Sequence, residues 1–129
     1  MAEKVRIPPK GTQFLTVTLS PKIYDKPPKY QFLATINQII RVLERFCLDY
    51  CLVTELTDQG NVHYHAWIHQ RNRNNQCRLC VALKKLKYIG FIKINKEDIT
   101  ETERTYNYML GHDKSGCNLD AAYQEIKMA

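Results

Sequence analysis

The stretch Val62–Ile68 limits the possible folds most, because it alternates two histidines with apolar side chains in the order VHYHAWI. Successive side chains of a β-strand point to opposite faces of its sheet. The pattern therefore predicts a strand over Asn61–His69. On that strand His63 and His65 lie side by side on one face, and the apolar residues line the other.

A second strand is predicted over Tyr50–Thr57, and Asp58-Gln59-Gly60 joins it to the first. A three-residue hairpin loop with its glycine in the left-handed conformation fits this spacing. Glu55 then lies directly opposite His63, whereas a two-residue turn would put it on the other face. With the longer loop, Glu55, His63 and His65 converge, and this donor set suits a divalent metal ion.

A simpler reading treats His63 and His65 as partly exposed strand residues that bind nothing. His69 has the same parity but lies at the far end of the strand. We expect His69 to face the surface or DNA and not to act as a fourth ligand.

The composition favours one domain with a polyanionic partner, since the 129 residues carry a net charge of +6. No apolar run approaches the roughly 20 residues of a membrane span, and the N-terminus has no signal-peptide pattern. We therefore expect an intracellular protein without a membrane partner. The five cysteines are an odd number and suggest reduced thiols. Cys77 and Cys80 have zinc-pair spacing, but without a second pair they fit core residues better.

Four further elements are predicted from periodicity and boundary residues. They are a strand over Gln13–Ser20, a helix over Tyr30–Cys47, a helix over Gln76–Lys87 and a strand over Tyr88–Asn95. A third helix begins at a capping box of Thr100 with Glu103 and ends near Gly111, and Ala121–Met128 could add a short one. The order predicts an α+β domain with a central, mostly antiparallel sheet of about five strands flanked by helices.

Basic residues outside these elements supply candidate phosphate contacts. Met1–Gly11 reads as a loose basic arm, and Arg71 and Arg73 lie in a polar loop. The cluster Lys84, Lys85 and Lys87 fits a solvated helix face as well as a phosphate-binding role.

Three motifs in order resemble the N-terminal nuclease domain of HUH-type rolling-circle replication initiators. The likeness is to the Rep proteins of small circular single-stranded DNA viruses such as geminiviruses, nanoviruses and circoviruses. Phe14-Leu15-Thr16-Val17-Thr18 resembles the first motif and His63-Tyr64-His65 the metal motif. Tyr108 stands at the position of the catalytic tyrosine. The three cover nearly the whole chain.

The resemblance implies a single HUH endonuclease domain over residues 1–129, with a ferredoxin-like or RRM-like fold and no helicase domain in this chain. It implies that Glu55, His63 and His65 bind Mn²⁺ or Mg²⁺. Tyr108 would nick single-stranded DNA at the stem-loop of a replication origin, form a 5′-phosphotyrosine link and rejoin strands. The isolated domain is expected to be a monomer, the full-length protein an oligomer through regions missing here, and the site of action a host nucleus.

One departure from the family's Tyr-x-x-Lys motif leaves the nucleophile open, because Gly111 stands at the lysine position. His112 and Lys114 are the nearest basic candidates for the role of that lysine. Tyr106 remains a rival, since the two tyrosines point in directions about 200° apart on a helix. The motif register favours Tyr108.

The remaining site prediction concerns DNA contacts by aromatic, hydroxyl and basic residues. The predicted DNA-binding residues are Phe14, Thr16, Thr18, Trp67, Arg71 and Arg73. Two other functions remain open. One is a single-tyrosine HUH transposase, although His112 stands where those enzymes carry glutamine. The other is a non-catalytic basic module that binds nucleic acid.

Overall fold

The computed structural model describes residues 5–110, without the side chains of residues 75–77. In chain order its elements are β1 (Gln13–Leu19), α1 (Pro28–Phe46), β2 (Cys47–Leu56), β3 (Val62–Gln70), α2 (Gln76–Lys84), β4 (Ile89–Ile94) and α3 (Thr102–Met109). Single 3-10 turns over Pro21–Ile23 and Arg73–Asn75 precede α1 and α2. The predicted α+β class is confirmed. The described part of the chain contains four strands, where about five were predicted.

All neighbouring strands pair antiparallel, in the order β2-β3-β1-β4. The chain up to β4 thus runs strand, helix, strand, strand, helix, strand, which is the ferredoxin-like arrangement. Because α1 carries the chain past β3 to the outer edge, β3 returns between β2 and β1. The strands β1 and β3, which hold two of the three sequence motifs, become the two central strands.

The β2–β3 hairpin has the predicted three-residue loop. Gly60 adopts a φ of 80°, and its N–H donates to the Thr57 carbonyl at 2.8 Å. The Thr57 N–H donates to the Asn61 carbonyl, also at 2.8 Å. Glu55 consequently pairs with His63. The predicted register is confirmed.

One face of the sheet is covered by α1 and α2 and carries the main core. The alternate residues Leu15, Val17 and Leu19 of β1 point into it, and Leu79 and Leu83 of α2 pack against them. From β3 come Val62, Tyr64, Ala66 and Ile68, and from α1 Phe32, Ile36, Ile39 and Leu43. The apolar face predicted for β3 is therefore the helix-covered face, and both histidines point the other way.

A smaller cluster covers part of the opposite face. It consists of Val5, Cys51, Val53, Trp67 and Met109, contributed by the N-terminal arm, β2, β3 and α3. The prediction of a loose arm is wrong for residues 5 and 6, because Val5 is buried and Arg6 is hydrogen-bonded to β2. The Arg6 guanidinium donates to both Asp49 carboxylate oxygens at 3.2 and 3.0 Å, and to the Tyr50 carbonyl at 2.7 Å.

The predicted capping box at Thr100 is wrong. The helix α3 begins at Thr102, its N-cap residue is Glu101, and no side chain caps it. The Ile99 N–H donates to the Thr12 carbonyl at 2.8 Å, so the chain is tied to β1 just before the helix begins. The predicted end at Gly111 and the possible helix over Ala121–Met128 lie outside the described residues.

Other boundaries move by a few residues. The helix α1 begins at Pro28, which is suited to the first helical position, and α2 ends at Lys84. Within residues 5–110, no helix has the length and apolar character needed to cross a membrane.

Candidate active site

The face opposite α1 and α2 brings the predicted metal ligands together. Strand pairing aligns Glu55 with His63, and the imidazole centroids of His63 and His65 lie 4.7 Å apart in an edge-on arrangement. The Glu55 Oε2 atom lies 3.3 Å from His65 Nε2. Glu55 and His65 are only 6% and 4% exposed, whereas His63 is half-buried. The carboxylate and the imidazole therefore meet in a site largely closed to water.

Two threonines of the first motif lie behind the histidines on β1. Strand pairing places Thr18 beside His63 and Thr16 beside His65. The hydroxyl of Thr18 lies 3.4 Å from His63 Nδ1, and that of Thr16 lies 3.5 Å from His65 Nδ1. A partner at one ring nitrogen orients an imidazole and leaves the other nitrogen for a ligand. Both threonines were predicted to touch DNA, but here they position histidines.

The helix α3 places Tyr108 beside this group. Its hydroxyl lies 3.5 Å from His65 Nε2, and its ring is edge-on to that of His65 at 5.2 Å. The Phe14 ring stacks on His65 at 5.5 Å and meets Tyr108 edge-on at 5.9 Å. Tyr106 packs instead against the smaller cluster around Trp67. Of the two rival tyrosines, Tyr108 is therefore the one that contacts the predicted ligands.

The donor set fits a divalent ion by its chemistry and spacing. Within residues 5–110, no three or more His, Cys, Asp and Glu side chains already stand as a complete metal site. Two ligand atoms held at about 2.1 Å and at a right angle around one ion are about 3 Å apart. The 3.3 Å between Glu55 Oε2 and His65 Nε2 is close to that separation. Mixed carboxylate and imidazole ligation suits Mn²⁺.

The structure gives Trp67 a packing role, and the predicted stacking on DNA is not supported. Trp67 is fully buried, its indole N–H donates to the Arg6 carbonyl at 2.9 Å, and the Arg6 guanidinium lies 5.0 Å from the ring centroid. Its parity on β3 was predicted correctly, but the covering arm was not.

The two loop arginines lie away from the histidines. Arg71 follows the far end of β3, and six residues of strand from His65 span about 20 Å. Arg73 forms an ion pair with Asp98 and donates to the Lys96 carbonyl at 2.9 Å. It thereby ties its loop to the segment before α3. Gly111, His112 and Lys114 lie outside the described residues.

Two residues of β4 were missed by sequence reasoning. Phe91 pairs with Thr18 and Lys93 pairs with Thr16, so both lie on the face of the histidines. The signal was present in the sequence, because Phe91 and Lys93 alternate with the inward Ile92. An open groove runs between β4 and α3, and its lining includes Phe14, Lys93, Asn95, Thr105 and Tyr108.

Comparison with known proteins identifies the class to which this fold and site belong, that of the replication-associated proteins. A family model for replication-associated proteins of the ORF2 type matches residues 12–112, and the chain belongs to this family. The matched segment contains all four strands, Glu55, both histidines and Tyr108. It assigns the protein a replication-initiator-like domain. No curated protein and no solved structure matches the chain.

Proposed function

We propose that the protein is a metal-dependent endonuclease that nicks and rejoins single-stranded origin DNA through Tyr108. One observation carries this proposal. The Tyr108 hydroxyl lies 3.5 Å from His65 Nε2, whose other neighbour is the buried Glu55 carboxylate, in a chain of a replication-associated family. A phenol, two imidazoles and a carboxylate on one sheet face form the donor and nucleophile set for phosphoryl transfer.

In the proposed reaction the Tyr108 oxygen attacks the scissile phosphorus and loses its proton. The bond from phosphorus to the 3′-oxygen breaks, and the departing strand end takes up a proton to become a 3′-hydroxyl. The other strand end remains on the protein as a 5′-phosphotyrosine. Because a phosphodiester replaces a phosphodiester, attack by a 3′-hydroxyl can reverse the step and join strands.

The described residues would prepare this step by positioning. Phe14 and His65 hold the Tyr108 ring edge-on from two sides, which limits its rotation. Glu55, His63 and His65 would hold the divalent ion, which when bound stabilises developing charge on phosphate oxygens. Thr16 and Thr18 would keep both imidazoles oriented toward it.

Single-stranded DNA is the proposed substrate because a tyrosine on a helix above a sheet requires a strand that can bend toward it. The net charge of +6 favours such a polyanion. We propose that both Mn²⁺ and Mg²⁺ support the reaction, with Mn²⁺ bound more tightly by the imidazoles.

The test is covalent capture on a denaturing gel. The protein is incubated with Mn²⁺ and a labelled pool of single-stranded oligonucleotides, with a chelator as control. A slower protein–DNA band is expected for the wild type and for Tyr106→Phe, and its loss for Tyr108→Phe and with chelator. Tyr106→Phe is the matched control, since it removes the same hydroxyl from the same helix.

Two results would contradict the proposal in different ways. A band that survives Tyr108→Phe but disappears with Tyr106→Phe would assign the nucleophile to the other tyrosine. No band with any oligonucleotide would leave the non-catalytic nucleic-acid-binding module as the better reading.

A further inference from the structure

The two cross-strand rows that contain the histidines extend to the edge strand β4. One row runs from Glu55 through His63 and Thr18 to Phe91. The next runs through His65 and Thr16 to Lys93. Neighbouring strands lie about 4.8 Å apart, so Phe91 is about 10 Å from His63 across the sheet. An aromatic ring and an ammonium group therefore stand next to each other, two strands from the candidate metal ligands.

Phe91 is unusual among the described aromatic rings because 57% of it is exposed. Its chain neighbour Ile92 is 8% exposed and packs in the main core, which shows that the strand alternates normally and that Phe91 points outward. Leaving a phenylalanine ring in water forgoes about 1.5–3 kcal/mol of burial free energy. Such a ring, in line with a candidate active site, is therefore a candidate binding surface.

The backbone near Phe91 is irregular. The β1–β4 register shifts between Thr18 and Leu19, and a β-bulge of this kind redirects side chains. Gly90 makes the shift possible, since a Cβ atom there would lie 3.0 Å from the Leu19 carbonyl oxygen. The sequence thus places a glycine where β4 crosses the end of β1 and a large aromatic residue directly after it.

We propose that Phe91 is a stacking platform for a base of the single-stranded DNA and that Lys93 contacts a phosphate of the same strand. This inference rests on the proposed function, because it takes DNA as the ligand of this face. Every base presents a π-face, so stacking of this kind holds a strand without selecting its sequence. It would fix the strand on one side of the scissile phosphate while Tyr108 attacks.

Continuity with the candidate site supports DNA as the occupant. Lys93 and Tyr108 line the same open groove between β4 and α3. The other predicted stacking residue, Trp67, is fully buried, and Phe14 already stacks on His65. Phe91 is therefore the aromatic residue of this face that has an exposed ring to offer.

The first experiment measures DNA affinity without cleavage. All variants carry Tyr108→Phe, and the probe is a fluorescein-labelled twelve-nucleotide oligothymidylate followed by fluorescence anisotropy. Phe91→Ala is expected to raise Kd about 5- to 100-fold, which corresponds to the loss of one stacked base. Phe91→Trp is expected to restore the affinity, because a larger ring still stacks. Leu33→Ala is the matched control, as Leu33 is 58% exposed on α1 at the other face.

Lys93→Ala tests the phosphate contact separately. It is expected to weaken binding and to lower the slope of log Kd against log salt by about one phosphate contact. An unchanged slope would remove Lys93 from the proposal.

A second measurement locates the base directly. An oligothymidylate with a single 5-iodouracil is photo-crosslinked to the protein at each position in turn, and the crosslinked peptide is identified by mass spectrometry. Crosslinking to Phe91 at one or two positions is expected.

The outcomes separate this inference from the proposed function. If the wild type forms the covalent adduct but Phe91→Ala binds like Leu33→Ala and no crosslink maps to β4, Phe91 has no stacking role and the nuclease stands. If binding depends on Phe91 but no adduct forms, the nuclease fails and the sheet face is a DNA-binding surface only. Binding by neither measure overturns both.

Discussion

The residues of the site differ in how far the sequence could place them. Glu55, His63 and His65 could be placed because strand parity and one glycine turn determine which side chains face each other. Trp67 could not, although it has the same parity. Its burial depends on Arg6, 61 residues away in the chain, whose carbonyl accepts the indole hydrogen bond. Parity predicts a face, whereas the cover on that face is a long-range contact.

At the residue scale, Glu55→Gln is expected to abolish metal-dependent stabilisation. The amide keeps the shape of the carboxylate but removes the charge that a divalent ion requires. With Mn²⁺ at 100 times its Kd, the wild type should gain about 2.7 kcal/mol of unfolding free energy, and the variant should gain much less. Thermal unfolding with Mn²⁺ and with chelator measures both gains.

Asp49→Asn is the matched control for that change. Asp49 lies on the same strand, six residues or about 20 Å from Glu55, and pairs with Arg6. Its variant should keep the full response to Mn²⁺. A wild type that gains nothing from Mn²⁺ would contradict the assignment of Glu55, His63 and His65 as ligands.

Cys47 gives a second prediction at this scale, on alkaline stability. Burial raises the pKa of its thiol from 9.0 to about 12, and the nearby Arg71 charge offsets only part of this rise. Between these values the unfolded chain releases the proton while the folded protein keeps it, so stability present below pH 9 is lost as the pH rises toward 12. At pH 10 the loss from this group is about 1.4 kcal/mol.

Comparison with Cys47→Ala isolates that loss from the titration of other groups. Urea unfolding at pH 8 and pH 10 is expected to show a smaller decrease for the variant than for the wild type. Equal decreases would mean that the thiol is not held in its neutral form by the fold.

At the scale of elements, the hairpin could be predicted and α3 could not. The loop Asp58-Gln59-Gly60 contains its own conformational signal, since only the left-handed glycine closes it in three residues. The start of α3 depends on the hydrogen bond from Ile99 to Thr12, which no local pattern reveals. For the same reason the choice between Tyr106 and Tyr108 required the packed position of the helix.

Gly60→Ala tests the element that sets the register. A Cβ at Gly60 meets no atom within 4 Å, so the cost arises from the backbone conformation alone. Forcing an alanine to a φ of 80° is expected to lower the unfolding free energy by about 1–2 kcal/mol. Gly60→Asn should cost less, because asparagine tolerates this region. Urea unfolding measures both, and equal costs would argue against a left-handed conformation at this position.

At the scale of the whole molecule, the sheet separates two tasks. The face under α1 and α2 holds the main core and includes Tyr64, whose hydroxyl contacts that of Thr35 at 2.8 Å. The opposite face is covered only in part, by the N-terminal arm and α3, and between these covers lie the histidines. A ferredoxin-like sheet could be predicted from element order, but the division of the second face into covered and open parts could not.

The arm provides a prediction for the molecule as a whole, read through Trp67, the single tryptophan of the chain. The hydrogen bonds from Arg6 lower the pKa of Asp49 below its ordinary value of 3.8. The interaction therefore stabilises the docked arm above that pH and is lost as the pH falls through the lowered pKa. Its contribution stays below about 1 kcal/mol, because both side chains are about half exposed.

Arg6→Ala removes the same anchor at neutral pH, together with the contact of the guanidinium with the indole ring. Tryptophan emission is expected to shift to the red and acrylamide quenching to increase at pH 7, while the wild type should change in this direction only on acidification below pH 4. Arg41→Ala on α1 is the control and should match the wild type. If Arg6→Ala leaves the emission unchanged, the arm does not depend on Arg6 for docking, and Val5 and the indole hydrogen bond must be sufficient to keep Trp67 covered.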